Sequence, residues 1–323
     1  MGLRICRSLQ EAQRGIPRAL SIGNFDGVHA GHRRILRRVA QLAGENGWRP
    51  SAMTFEPHPA VVVAPERAPR LLTTLEQRAR LIAEEGIEEI LIVPFRPEFS
   101  RLTPRQFVQE VLVETLSVRA VQVGANFRFG YQHSGDIHAL AQLGEEFGFL
   151  TGVVPEVVLR GIRVSSSRIR SLLEAGEVSR AGRLLERAFW IEGRIVPGRR
   201  VGSAKTVPTL NLEPPAGLIL PAEGVYITRT LDLDADRRWP SVTNVGCRPT
   251  FGGRALTIET HLLTPLEGGD PGRIRLEFLL RLREERKFPD AAALRAQILR
   301  DVTRAQRYFR LRERLLYSRS TPV

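Results

Sequence analysis

Long apolar runs are missing from this chain of 323 residues, and none approaches the ~18 residues that a bilayer-crossing helix needs, so no membrane span and no membrane partner are expected. The N-terminus also lacks the apolar core of a signal peptide, which argues against export. Cysteine is scarce. Cys6 and Cys247 lie far apart and have no neighbours at metal-ligand spacing, as suits a reducing cytoplasm. Lysine is scarcer still: Lys205 and Lys287 are the two lysines among 48 basic residues, so arginine carries nearly all the basic charge behind the net +13. No basic run is long enough to form a tail, and aromatic residues at 7% are too few for a basic face interleaved with stacking platforms. Nucleic acid is therefore not expected as a partner. A positive field would equally suit small substrates carrying several phosphates.

At this length one ordinary core is not enough, and two domains are expected. From Met1 to about Ala188, apolar strand-like runs alternate with helical periodicity: strands at Ala19 to Ile22, Arg49 to Phe55, Glu89 to Val93, Ala120 to Val123 and Leu150 to Val158, with helices between them. Thr73-x-x-Glu76, Thr74-x-x-Gln77 and Thr103-Pro104-Arg105-Gln106 read as helix starts. This pattern predicts a parallel α/β sheet with right-handed crossovers and ligands at the carboxyl ends of its strands. After Ala188, short strand-like runs are separated by Pro, Gly and Asp clusters: Trp190 to Val196, Gly224 to Thr230, Ser241 to Val245, Leu256 to Leu263 and Arg273 to Leu282. Such a run of strands predicts a small antiparallel β-barrel. A last helix capped by Asp290 carries Leu294, Ile298, Val302, Ala305 and Phe309 as one apolar stripe, expected to pack on the barrel. The expected domains are 1–185 and 186–323.

The first strand runs into Gly23-Asn24-Phe25-Asp26-Gly27-Val28-His29-Ala30-Gly31-His32 and then into a helix. A helix N-terminus offers free N–H groups and positive potential to an anion, and His29 and His32, three residues apart, can reach the same phosphate. The plain alternative is a βα turn with two solvent-facing histidines. Three further segments follow strand ends. Phe55-Glu56-Pro57-His58-Pro59 reads equally as a proline-stiffened turn. Gly124-Ala125-Asn126-Phe127-Arg128-Phe129-Gly130 either holds a flat ring and an anion or plugs a core. In Val164-Ser165-Ser166-Ser167-Arg168-Ile169-Arg170, hydroxyls, first-turn amides and Arg170 converge, though a serine cap with a solvated arginine is the commoner case.

Taken together, these four segments resemble, in order, the motifs of the bacterial bifunctional riboflavin kinase/FMN adenylyltransferases, within the nucleotidyltransferase superfamily. The C-terminal half is similar to the family's kinase module over Gly193-Arg194, Gly198 to Gly202, Pro208-Thr209-Leu210-Asn211, Gly224-Val225-Tyr226, Asn244 to Phe251, Ile258-Glu259-Thr260-His261 and Leu282 to Phe288. The resemblance implies a Rossmann-like adenylyltransferase domain followed by a riboflavin kinase barrel with a C-terminal helix. It implies ATP and Mg²⁺, with riboflavin and FMN as substrates. In the first domain it implies ATP contacts at Gly23, Phe25, Asp26, Gly31, His32, Ser166, Ser167 and Arg170, with His29, His32 and Arg170 catalytic, and flavin contacts at His58, Pro59, Asn126, Phe127 and Arg128.

In the second domain it implies ATP contacts at Gly198, Gly202, Lys205, Pro208, Thr209 and Asn211, with Thr209 and Asn211 on the metal and Glu259 as the base. Departures gather in one place: Thr206-Val207 stands where the family has Gly-Phe, Leu210 where it has Ala, and Ser203 where it has arginine. Either the kinase is decayed, leaving an adenylyltransferase with a flavin-binding barrel, or its loop is remodelled with Lys205 taking over part of the missing charge. The intact Thr209, Asn211 and Glu259 favour the second.

Overall fold

The computed structural model describes residues 2–197, 209–250, 253–266, 269 and 271–317. Its internal contacts divide the chain into Met1–Arg168 and Ile169–Val323.

The first unit is a six-stranded sheet of β1 (Arg4–Cys6), β2 (Arg18–Ile22), β3 (Arg49–Glu56), β4 (Glu89–Pro94), β5 (Val118–Gly124) and β6 (Leu150–Val154), in the order β1-β4-β3-β2-β5-β6. Every pairing is parallel. Leu20, Ala52, Met53, Ile90, Leu91 and Val121 are fully buried, because a parallel sheet is covered on both faces. That is why these strands read as continuous apolar runs. The helices are α1 (Ala30–Asn46), one-turn α2 (Pro59–Val63), α3 (Leu75–Ala83), one-turn α4 (Pro97–Ser100), α5 (Pro104–Gln106) and α6 (Ile137–Phe147). Thr74 with Gln77 and Thr103 with Gln106 form reciprocal caps on α3 and α5. α5 continues as a π-helix over Phe107–Thr115, which delivers Phe107, Val108, Val111 and Leu112 to the core.

At the amino ends of the strands, Arg18 Nε donates to Glu89 Oε2 at 2.6 Å, and Ser51 Oγ donates to the same oxygen at 3.0 Å. Burial pushes the Glu89 carboxyl up, but these donors and the Arg18 charge outweigh it and hold the group below its usual range. Two details differ from expectation. β1 has too few residues to show a pattern, and the strand expected to reach Val158 ends at Val154, where Pro155 breaks it. A hairpin of β7 (Val158–Leu159) and β8 (Ile162–Arg163) then leads to α7 (Ser166–Glu174).

In the second unit, α8 (Val178–Leu185) precedes a closed barrel of β9 (Phe189–Val196), β10 (Thr209–Glu213), β11 (Gly224–Asp232), β12 (Arg238–Thr250), β13 (Gly253–Leu262) and β14 (Arg273–Arg283). Its order is β10-β13-β12-β11-β14-β9, with all pairings antiparallel. β10, absent from the five expected runs, completes the closure. The texture of the sequence changes near 185, whereas residues 169–185 pack with the barrel: Ser179 Oγ donates to Leu279 O at 2.6 Å, and Ala222 N donates to Leu173 O at 2.9 Å.

The terminal helix α9 (Ala291–Tyr317) packs the later part of the expected stripe on the barrel, with Ala305 in the core and Phe309 against it, but its first turns bury a different face. Leu294 and Ile298 are exposed, while Gln297, Asp301 and Ala305 are buried. The polar members of that face bond the end of the barrel, with Arg283 Nε donating to Asp301 Oδ2 at 2.9 Å and Arg286 Nη2 to Gln297 Oε1 at 2.6 Å. These bonds rotate the first turns away from the apolar stripe.

Candidate functional sites

In the first unit the strand order reverses between β2 and β5, and open α/β sheets bind ligands beyond the carboxyl ends of the strands at such a switch point. The β2 end carries the His-x-Gly-His turn and the β5 end carries Gly124 to Gly130. Gly23 N donates to Met53 O at 3.0 Å, holding the start of the turn to β3. Gly27 has φ 80°, a conformation open to glycine at little cost; Phe25 at 48° and Val28 at 36° share the positive region, so the turn is strained and must be held.

Asp26 does much of the holding. Its buried carboxylate accepts from Leu72 N at 3.0 Å, and from Thr73 N and Thr73 Oγ1 at 3.2 Å each. Phe25, also buried, packs edge-on against the His32 ring at 5.4 Å.

His29 caps α1, its Nδ1 accepting from His32 N at 3.4 Å, which leaves the ring proton on Nε2. The two imidazoles stack with centroids 3.7 Å apart and planes 15° apart, so they share one face of the helix start. A Cβ on Gly31 would come within 3.2 Å of His29 Cε1, which is why glycine sits between them. Ser166 Oγ donates to Asp26 O at 2.9 Å, bringing the N-terminus of α7 to the turn, while Ser165 caps that helix by accepting from Arg168 N at 3.2 Å. Two helix N-termini therefore converge where the sequence expects phosphate. Ser167 is exposed, and Arg170, half-buried one turn further along α7, falls beyond the division of the chain.

His58 caps α2, its Nδ1 accepting from Ala60 N at 3.2 Å, and Pro59 opens that helix. Asn126 and Arg128 are exposed beyond β5. Phe127 stacks on Phe129 at 5.5 Å. Phe129 belongs to the core and Phe127 packs against it, so the aromatic pair plugs the core while Asn126 and Arg128 stay at the surface.

In the second unit, antiparallel register aligns Asn211 with Glu259 and Glu259 with Asn244, across β10, β13 and β12. Their flanking residues Leu210, Leu212, Ile258, Thr260, Thr243 and Val245 are buried, so alternation puts the three polar side chains on the opposite face of the sheet. Thr209 lies opposite His261, with Oγ1 to Nδ1 at 3.5 Å. Burial lowers the pKa of His261. Asn244 and His261 lie in segments that resemble the family, and cross-strand register, which local sequence does not show, brings them beside Glu259 and Thr209. Gly198, Gly202, Lys205 and Pro208 lie outside the described residues.

A nucleotidyltransferase-type sheet with this turn, followed by a closed barrel carrying Thr209, Asn211 and Glu259, defines a two-domain transferase. An FAD synthetase family model matches residues 11–168, and a riboflavin kinase family model matches residues 185–309. The chain is 35% identical over 292 residues to the bifunctional riboflavin kinase/FMN adenylyltransferase of Escherichia coli (strain K12), covering 90% of this chain and 93% of that one. The protein of the same name from Pseudomonas fluorescens is 36% identical over 287 residues, covering 88% and 91%, and that of Haemophilus influenzae is 30% identical over 308 residues, covering 95% and 99%. A solved structure from Streptococcus pneumoniae, named as a macrolide-efflux protein, shares the fold with a TM-score of 0.85 at 23% identity, covering 95% of this chain and 99% of that one. The chain belongs to the bifunctional riboflavin kinase/FMN adenylyltransferase family.

Proposed function

We propose that the two activities of this transferase reside in separate sites, FMN adenylylation at the Gly23–His32 turn and riboflavin phosphorylation at the row Thr209, Asn211 and Glu259. The observation that carries the first assignment is the convergence of the stacked His29–His32 pair with the N-termini of α1 and α7 at the sheet's switch point. FMN supplies a phosphate oxygen that bonds to the α-phosphorus of ATP as the α–β bridging bond breaks, so FAD forms and pyrophosphate leaves. No covalent enzyme intermediate is needed, because the nucleophile already carries charge. The protein's work is to hold two anions together and to stabilise charge as it builds.

His29 Nε2–H, His32, the helix amides, Ser166, Ser167 and Arg170 are donors suited to that task. Gly23 and Gly31 keep the turn compact around the nucleotide, and Phe25 and Asp26 shape it from beneath. Asn126, Phe127 and Arg128, with His58 and Pro59, face the flavin half of the reaction in this reading.

In the barrel, Glu259 takes the proton of the terminal ribityl hydroxyl as its oxygen attacks the γ-phosphorus of ATP and the β–γ bridging bond breaks, so FMN forms and ADP leaves. The hydroxyl of Thr209 and the amide oxygen of Asn211 are hard oxygen donors, which suit Mg²⁺ completed by substrate phosphates. When bound, the ion would neutralise charge on the phosphates. Work in the cytoplasm on small molecules alone belongs to the same proposal. No helix of the described residues is long and apolar enough to cross a membrane.

The test is incubation with riboflavin, ATP and Mg²⁺ followed by chromatographic separation of riboflavin, FMN and FAD. His32→Ala should stop at FMN, Glu259→Gln should leave riboflavin unchanged while still converting added FMN, and Lys205→Ala should raise the ATP requirement of the first step. Loss of both steps in a folded His32→Ala protein refutes separate sites. Wild-type protein that adenylylates FMN but leaves riboflavin untouched refutes the kinase assignment.

A further inference from the structure

A helix lying on a sheet normally turns its arginines to water, but Arg78 of α3 is 1% exposed. Its Nη1 donates to Thr54 Oγ1 at 3.2 Å; among the described residues, Nε and Nη2 are buried with no hydrogen-bond partner and the guanidinium makes no ion pair. Thr54, near the carboxyl end of β3, donates through Oγ1 to Asn24 O at 3.2 Å. The charge therefore sits under the loop that joins β2 to α1, where Asn24 leads into the strained turn. Burial lowers the pKa of Arg78, opposed by the carboxylates of Asp26, Glu56 and Glu76, yet a guanidinium keeps its proton at any working pH. An apolar side chain of the same shape would fill this space without desolvating a cation, so the charge needs a task.

We propose that Arg78 is a positioning residue of the adenylyl site, a buried cation that braces the β2–α1 loop through Thr54 and raises the positive potential that draws the polyphosphate of ATP to the turn. It acts without touching the nucleotide, because a charge shielded from water acts over several ångströms with little screening. The proposal rests on adenylyl transfer taking place at the Gly23–His32 turn. Its distinguishing consequence is an effect graded by ligand charge, which a merely structural role would not give.

Inhibition constants of pyrophosphate, AMP and adenosine against FMN-to-FAD conversion read the adenylyl site of the full-length enzyme. Arg78→Met should raise the constant for pyrophosphate roughly tenfold, that for AMP roughly threefold and that for adenosine less than about twofold. Arg78→Lys, which restores the charge, should recover most of the loss. Should Arg78→Met lose the melting transition of the first unit, Arg78→Gln, which keeps a donor for Thr54, carries the same comparison. Equal weakening of all three inhibitors, no weakening of pyrophosphate, or a folded Arg78→Lys no better than the neutral variant overturns the proposal. His32→Ala separates this from the underlying assignment: FAD formation that survives His32→Ala refutes the site itself, whereas its loss beside an unaffected Arg78→Met refutes only the role of Arg78.

Discussion

Replacing Asp26 with alanine should unlock the turn from beneath while leaving both histidines in the chain. The carboxylate is 1% exposed and receives Leu72 N, Thr73 N and Thr73 Oγ1. The hydroxyl can rotate to a new partner, but the two amides are fixed by the backbone. Each orphaned buried donor costs ~1–3 kcal/mol, so a loss of about 3 kcal/mol is expected after partial relaxation. For a unit of this size each kcal/mol moves the melting temperature by roughly 2–4 °C, so the first transition should fall by about 6–12 °C. Phe25 and Val28 keep their positive φ only while the turn is held, and Asp26 O is the acceptor that brings Ser166 to it. A displacement of ~1 Å there should lower FMN-to-FAD turnover ~100-fold. Riboflavin phosphorylation reports the other unit and should be unchanged.

Asp26→Asn is the finer probe: both carboxylate oxygens stand 3.0 Å from Leu72 N, so either amide orientation sets a donor against a donor, and an intermediate loss is expected. Calorimetry with both activity assays reads all of this. An Asp26→Ala protein melting within about 2 °C of wild type and making FAD at the normal rate would refute the view that this carboxylate holds the turn.

The Arg18–Glu89 pair predicts a pH dependence. Because the folded carboxyl is held below its ordinary range, its contribution is present above the unfolded value and lost as pH falls through the lowered folded one. Glu89→Gln strands a buried guanidinium and should cost the first unit about 3–5 kcal/mol near neutral pH, a gap that narrows on acidification; a constant gap down to about pH 3 would contradict the assignment. The extent of the kinase domain is tested by two fragments. One starting at Ile169 keeps α8, whose Val178, Ala181, Leu184 and Leu185 are buried, and should fold and phosphorylate riboflavin. One starting at Glu186 lacks that cover over β14 and should melt at least about 5 °C lower, and equal melting temperatures would show that the domain begins near 186.

Residues close together in the chain determined much of this protein by themselves. The caps at Thr74 and Thr103 are reciprocal contacts three residues apart, and His29 and Gly31 are fixed by the geometry of one βα turn, so both are legible without a fold. The parallel sheet was legible too, since strands buried on both faces are uniformly apolar. The order of the motifs pointed to both halves of the family, because each motif is a contiguous loop. Contacts between distant segments were another matter. β1 is too short to carry a period, and β10 alternates over only five residues; their places in the sheets were decided by β4, and by β9 with β13, lying beside them.

The face that the first turns of α9 bury was decided by Arg283 and Arg286 from the end of the barrel, which bond Asp301 and Gln297 and outweigh Leu294 and Ile298, while Ala305 further along the same stripe is buried as its spacing suggests. Arg78 reads in sequence as one more solvated arginine on a helix. Only the fold, by laying α3 over the carboxyl end of β3, takes that charge out of water and sets it beneath the turn, since burial depends on what packs above a residue and not on its neighbours in the chain.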